Sequence, residues 1–427
     1  MNYKLDAIRA QFPALSIEDK GMPRIYFDNP AGTQVPQMVV DRMSRCLIES
    51  NANLGGYFAT SRRAEEVVDD AHQAMADMLN AASADEIVFG QNMTTITLHV
   101  SRSIGRMLQP GDEIILSRMD HDANIAPWML MAEDRGLEVR WLPFDTSTYE
   151  FDLGELEEII TERTRLICVG GASNLTGTIN NVRGVCEKAR AAGALTYIDA
   201  VQLAPHVGID VQDLGCDFLV SSAYKFFGPH QGILWGRRDL LEALFPYKVR
   251  PAPKEIPGCF ETGTQSHEGM AGTAAAVDYF AWIGETLAGD FHASNDRYSG
   301  RSKFVHAAMD YLFAYERGLA AHLINGLQSL PGVSVRGITA SAALDRRVPT
   351  VAFTAAGVAP DLIARELAAR NIFVWSGHNY AVEVVKALGI HESGGAIRVG
   401  PVHYNSVEEI DRLLVALDEI LPAARVA

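Results

Sequence analysis

The chain lacks the cysteine spacings that mark a disulfide framework or a structural metal site. Its five cysteines (Cys46, Cys168, Cys186, Cys216, Cys259) are scattered, with no C-x-x-C pair. Closely spaced thiols are what zinc or disulfide scaffolds need, so the expectation is inert thiols in a reducing compartment and no metal. No G-x-G-x-x-G follows an apolar strand and no G-x-x-x-x-G-K-[ST] occurs, so a dinucleotide or P-loop site has no support. No stretch free of charge reaches the length of a membrane span. Lys4, Asp6 and Arg9 interrupt the N-terminal apolar residues, so no signal peptide is visible and a cytoplasmic location is expected. Basic charge is also scarce. Lys and Arg number 37 against 53 Asp and Glu, a net charge of −16, which argues against nucleic-acid or anionic-membrane partners. Asn92-Met93-Thr94 and Asn174-Leu175-Thr176 match the glycosylation sequon but, without a secretory signal, read as chance matches.

What is present is a long apolar-strand pattern. At 427 residues, 48% hydrophobic, the chain can bury a large core and should hold more than one domain. Apolar runs at Glu86–Gly90, Gly111–Ser117, Val139–Pro143, Leu166–Val169, Thr196–Ala200, Phe218–Ser222 and Ile233–Trp235 alternate with helical segments. That alternation predicts βαβ units and a mainly parallel sheet of about seven strands flanked by helices. From about residue 290 the pattern becomes more helical, with Ser302–Tyr315, Leu319–Leu330 and Glu408–Leu421 as helices. Short strands at Val333–Val335, Thr350–Phe353 and Ile372–Val374 complete a smaller α+β domain. The expected division is an N-terminal arm (1–20) packing with the small domain, a large domain (21–285) and a small C-terminal domain (286–427).

One stretch organises the chemistry. Asp217 to Gly236 reads as an apolar strand, a small-residue turn, Lys225, a Gly228-Pro229 turn and a second apolar strand. A lysine flanked by Tyr224, Phe226 and Phe227 has a destabilised ammonium form, and only the neutral amine forms a Schiff base. Taken alone, Lys225 reads equally well as a surface lysine on a loop. Upstream, Thr196–Asp199 is an apolar run ending in a carboxylate, where open α/β sheets bind ligands. Pyridoxal phosphate needs a lysine for its aldehyde, an acid to keep its ring nitrogen protonated and a phosphate cup. Lys225 and Asp199 supply the first two at the ends of successive strands.

At this point a resemblance becomes specific. Asp199-Ala200-Val201-Gln202, followed by Ser221-Ser222-Ala223-Tyr224-Lys225-Phe226-Phe227-Gly228-Pro229, resembles the class V aminotransferase family of pyridoxal phosphate enzymes. Within it the cysteine desulfurases and selenocysteine lyases are the most similar. The likeness runs nearly the whole chain and implies the transferase fold of type I and a homodimer with a shared active site. By position it implies that His121, in Asp120-His121-Asp122-Ala123-Asn124, stacks on the cofactor ring and can move protons. It assigns Asn174 and Gln202 to the ring oxygen. Asn92, Met93 and Thr94 stand where the family has G-T-T, and with Ser222 and Tyr224 they fall to the phosphate. A helix start of small or hydroxylated residues suits an anion, although an unliganded helix cap reads equally well from local chemistry. Glu261–Gln265 resembles the segment through which a partner subunit reaches the phosphate, with Thr264 as its contact. Ala31 and Gly32 occupy a loop over the substrate, and Arg398 matches the arginine that grips the substrate carboxylate.

The sequence departs from the desulfurases in Val374–Ala381. There the family carries R-x-G-x-x-C, and its cysteine takes the sulfur; here Trp375 and Tyr380 stand at the arginine and cysteine positions. A phenol cannot replace a thiolate in that role. The reading is therefore a pyridoxal phosphate enzyme acting on an amino acid, a desulfurase-like lyase breaking a C–S or other bond by β-elimination without a persulfide cysteine. An aminotransferase or epimerase of the same fold is the alternative, and a non-catalytic cofactor-binding relative is a second. Replacing Lys225 by alanine is expected to abolish both the visible absorbance of lysine-linked cofactor and all turnover. Retention of both by the purified variant would remove the basis of this reading.

Overall fold

The computed structural model describes residues 3–426. Its large sheet contains β1 (Ile87–Gly90), β2 (Glu113–Ser117), β3 (Glu138–Leu142), β4 (Thr164–Gly170), β5 (Leu195–Asp199), β6 (Phe218–Ser222) and β7 (Gly232–Gly236). The spatial order is β1-β7-β6-β5-β4-β2-β3. Only β7 runs antiparallel to its neighbours. Every residue of β2, β6 and β7 is buried, which is why these strands read as continuous apolar runs rather than alternating ones.

Successive side chains point to opposite faces of the sheet. Phe218 and Val220 join one core with the helix Met93–Gly105 and Trp128. Leu219 joins the other, with Met75, Val185, Met270 and Phe280. Order along the chain reverses between β2 and β4, because β3 lies outside β2 while β4 to β6 proceed the other way. Such a switch point opens a crevice at the carboxyl ends of the strands. The turns after β1, β2, β4, β5 and β6 all open onto that edge.

The small sheet contains β8 (Val333–Arg336), β9 (Val351–Ala355), β10 (Trp375–Gly377) and β11 (Ala396–Val399), in the order β8-β9-β11-β10 and antiparallel throughout. The run Ile372–Val374, expected as a strand, is one only over Ile372–Phe373, and Val374 separates it from the next strand. Ile372–Phe373 pairs in parallel with Ile25–Tyr26, and Trp375 begins β10. The segment leading to Asp28 thereby forms a separate two-stranded sheet with the residues just before β10.

Ser302–Tyr315 and Leu319–Leu330 are not two helices but one, Gly300–Ser329, of 30 residues. Gly318 lies between the two expected stretches, and glycine inside a helix disfavours it by about 1 kcal/mol. Burial on both sides outweighs that penalty. Val305, Ala308, Met309 and Leu312 pack into the large core, while Leu319, Leu323, Ile324 and Leu327 pack into the small one. The N-terminal arm contacts this helix and the C-terminal segment. Tyr3 stacks on Tyr315 at 3.5 Å between ring centroids, and Arg9 pairs with Glu409 at 2.9 Å. Among the described residues no helix is long and apolar enough to cross a membrane.

The helices His267–Thr286 and Gly300–Ser329 touch through Gly284, where a Cβ would collide with the carbonyl oxygen of Phe304. A carbonyl in a packed helix cannot swing aside. Gly284→Ala is expected to destabilise the protein by about 1–3 kcal/mol, despite alanine's better helix propensity, and to show a lower unfolding midpoint by circular dichroism.

Candidate active site

β6 ends at Ser222 and a single 3₁₀ turn, Ala223–Lys225, carries the lysine back over the sheet edge. The turn is closed by Gly228 N–H donating to Ala223 O at 2.8 Å. Lys225 Nζ donates to the carbonyls of Pro30 and of Ala31, the latter at 3.0 Å. Its ammonium also lies 4.8 Å from the centroid of the Tyr224 ring. Burial, reinforced by the charge of Arg398, lowers the lysine pKa to about 7, against the opposing pull of Asp28 and Asp199. Asp199, at the end of β5 beside β6, accepts from Val201 N–H at 2.8 Å. Burial raises its pKa to about 6.

After β2 the chain turns through Asp120 and His121. His121 Nδ1 accepts from Ala123 N–H at 3.0 Å, which leaves its ring proton on Nε2. Burial, then the nearby charges of Lys225, Arg398 and His378, push its pKa down to about 3, so the ring is neutral near pH 7. Tyr380 stacks on it at 5.2 Å between ring centroids, with 16° between the planes. Asp120 is buried and accepts from Gly170 N–H (2.8 Å) and Asn124 Nδ2 (2.7 Å). Burial nevertheless raises its pKa to about 8.

The loop bearing Tyr380 is tied down from below. Asn174 Nδ2 donates to Asn379 O at 2.6 Å, and Asp122 N–H donates to Tyr380 O at 2.8 Å. Both Asn379 and Tyr380 have positive φ, 52° and 57°. That region is disfavoured for a bulky side chain, and the hydrogen bonds from Asn174 and Asp122 hold the loop in it. Arg398, on β11, is only 4% exposed. Its Nη1 donates to Asn174 O at 3.1 Å and its Nη2 lies 3.7 Å from Asp28 Oδ1.

At the opposite end Asn92 caps the helix Met93–Gly105, its Oδ1 accepting from Thr95 N–H at 2.9 Å. Met93 N–H donates to Ser222 Oγ at 3.1 Å. Gln202 donates to Thr350 Oγ1 at 3.0 Å. A Cβ on Gly32 would touch the Tyr224 ring at 3.3 Å, so this loop lies against that ring.

A cavity of about 290 Å³ gathers most of the expected residues: Asn92, Met93, Thr94, His121, Asn174, Asp199, Gln202, Ser222, Tyr224 and Lys225. Arg398, Ala31, Gly32 and Tyr380 adjoin it through Asn174, Lys225, Tyr224 and His121 without lining it. Thr264 lies apart, in a neighbouring cavity of about 460 Å³ that shares His230 with the first. Sequence reasoning passed over Asp28, Asp120 and His230. The first two stand inside the stretches that carried the resemblance, and His230 directly follows the Gly228-Pro229 turn.

The residues present fit pyridoxal phosphate. Asn174 Oδ1, Asp28 Oδ1 and Arg398 Nε are buried without a hydrogen-bond partner among the described residues, and buried polar groups of a finished core are paired. A lysine, a carboxylate and a helix start converge on one cavity, as an aldehyde, a ring nitrogen and a phosphate require.

Comparison with known proteins agrees. The family described as "Aminotransferase class-V" matches residues 25–295 and 303–413. A cysteine desulfurase from Pectobacterium atrosepticum is 32% identical, covering 98% of each chain. Aminotransferase-like protein FGM3 from Gibberella zeae is also 32% identical, over 98% of this chain and 99% of its own. Among solved structures, the apo cysteine desulfurase from Thermococcus onnurineus NA1 superimposes with a TM-score of 0.86 at 26% identity, covering 99% of both chains. The Escherichia coli cysteine desulfurase CsdA gives 0.82 at 28%, again over 99% of both. The chain belongs to the class-V aminotransferase family and is a pyridoxal-phosphate-dependent enzyme of cysteine-desulfurase-like fold.

Proposed function

We propose that the protein is a desulfurase-like lyase that expels a group from the β-carbon of an amino acid and holds no persulfide of its own. The observation that carries this is Tyr380 stacked on His121 in a loop, Val374–Ala381, without a cysteine. All five thiols are buried elsewhere. Burial raises the pKa of Cys168 and Cys216 well above the ordinary range and that of Cys186 to about 11. A buried, protonated thiol is a poor sulfur acceptor.

Pyridoxal phosphate, when bound, supplies an aldehyde for the substrate amine and an electron-accepting ring. The chain's residues do the rest. Arg398 offers its unpartnered Nε and its Nη2 to the α-carboxylate as a planar fork, which fixes the orientation of the amino acid. Lys225, with a pKa of about 7, is substantially neutral at physiological pH and can take the Cα proton at Nζ. Asp199 is ionised above about pH 6 and would there keep a proton on the ring nitrogen of bound cofactor. His121 stays neutral through the working range and presents a flat face with its proton on Nε2. The Met93–Gly105 helix start and Ser222 form the phosphate cradle. A homodimer belongs to the same reading, with Thr264 reaching the partner's phosphate. So does a cytoplasmic setting, which suits five unpaired cysteines.

Two outcomes are expected. Holoenzyme incubated with amino acids bearing a leaving group on Cβ should release the corresponding keto acid, with no alkylatable persulfide on the protein by mass spectrometry. A trapped protein persulfide would overturn the reading. Keto-acid-dependent amine transfer, or α-deuterium exchange with Cβ intact, would reassign the enzyme as an aminotransferase or an epimerase. Second, Arg398 is, after burial, the main influence that lowers the Lys225 pKa. Arg398→Gln should therefore raise that pKa, moving the midpoint of Lys225 labelling by an amine reagent to higher pH, and raise KM about 10- to 100-fold.

A further inference from the structure

We propose that His230 supplies the cofactor phosphate with the positive charge its cradle otherwise lacks, an inference that rests on the phosphate cradle read above. The donors at that end are dipoles. Ser222 Oγ already accepts from Met93 N–H at 3.1 Å, so its own proton is free to turn outward. Asn92 caps the helix through Oδ1, and its amide offers the phosphate a neutral donor only. Tyr224 is a phenol, which has no cationic form, and burial raises its pKa so that it stays neutral. Among the described residues lining the cavity, the side chains able to carry positive charge are Lys225, His121 and His230. The Lys225 amine is committed to the aldehyde, and His121 is neutral near pH 7. A phosphate monoester carries close to two negative charges at that pH, and a helix start offers only about half a unit of positive charge.

His230 stands where that charge is wanted. It lines the cavity with Asn92, Met93 and Thr94, and its ring stacks on Tyr224 at 4.9 Å, with 12° between the planes. Its backbone is pinned to the helix start on the C-terminal side. Gln231 Nε2 donates to Gly90 O at 2.6 Å, and the backbone of Asn92 crowds Gly232 so closely that only glycine fits there. The Tyr224 ring holds the imidazole flat at the cavity wall beside the helix start. His230 is therefore a cofactor-binding residue, and its effect should be confined to ligands that carry the phosphate.

The test compares pyridoxal phosphate with pyridoxal. Holoenzyme is dialysed to equilibrium against graded concentrations of either aldehyde, and bound ligand is read from its visible absorbance. Far-ultraviolet circular dichroism confirms that each variant is folded. His230→Gln should weaken pyridoxal phosphate about tenfold and leave pyridoxal unchanged. His230→Lys, which keeps a cation but loses the ring stack, should restore most of the lost affinity. If both variants bind as wild type while Ser222→Ala selectively weakens pyridoxal phosphate, the cradle reading stands and the role of His230 is overturned. If Lys is as weak as Gln, the stack and not the charge is responsible, and the proposal fails. If wild type binds the two aldehydes equally, the cradle itself is misassigned and the proposal falls with it.

Discussion

Two buried cations that repel one another set the terms for the site. Lys225 lines the cavity and Arg398 is buried beside it, and desolvation disfavours the charge of each. Asp28 offsets both, and Asp199 offsets the lysine. The balance is incomplete. Arg398 keeps its charge although burial lowers its pKa to about 10, while Lys225 titrates near neutrality. A residual positive field therefore persists beside a nucleophilic amine. It is suited to an anionic amino-acid carboxylate and needs no further basic residue on a chain that is acidic overall.

That field exists only when distant parts of the chain are docked. Lys225 comes from the large sheet, Arg398 from the small one, and Asp28 from a segment paired with Ile372–Phe373 and bridged to Gly400. The long helix Gly300–Ser329 joins the two cores. Glu316, fully buried on that helix, accepts from His206 Nδ1 at 2.8 Å and from His403 N–H at 2.9 Å. Burial alone would raise the Glu316 pKa, but these histidines hold it low. His403 in turn meets the Tyr279 hydroxyl at 2.8 Å. A buried carboxylate satisfied from two other segments is sensitive to misplacement of either of them, so it ties the docking of the small unit to the position of Arg398.

The loop above His121 shows a different economy. Two successive residues in the left-handed region and several backbone hydrogen bonds keep Tyr380 face to face with the imidazole. A tethered aromatic roof of this kind narrows approach to the cavity from the small-domain side. It also shields His121 from water, in keeping with a ring that stays unprotonated.

Much of this was legible in the order of residues. Buried parallel strands announce themselves as unbroken apolar runs, and the turns after them reach a common edge. Lys225 and Asp199 could therefore be paired from the ends of successive strands, while His121, Asn174, Gln202 and Ser222 joined them through the family resemblance, and all six line one cavity. Local pattern divided the helix Gly300–Ser329 in two, since propensity does not register that the residues on both sides of Gly318 will be buried in different cores. It could not bring Asp28 to Arg398, 370 positions along the chain, or set His230 on Tyr224, because those meetings depend on how two sheets and a connecting helix pack. The sequence by itself determined the strand order of chemistry-bearing turns and the absence of a thiol from the 374–381 loop. Only tertiary structure decided which charges share a cavity and hence which protons are held, because electrostatic energy depends on distance and burial rather than on position in the chain.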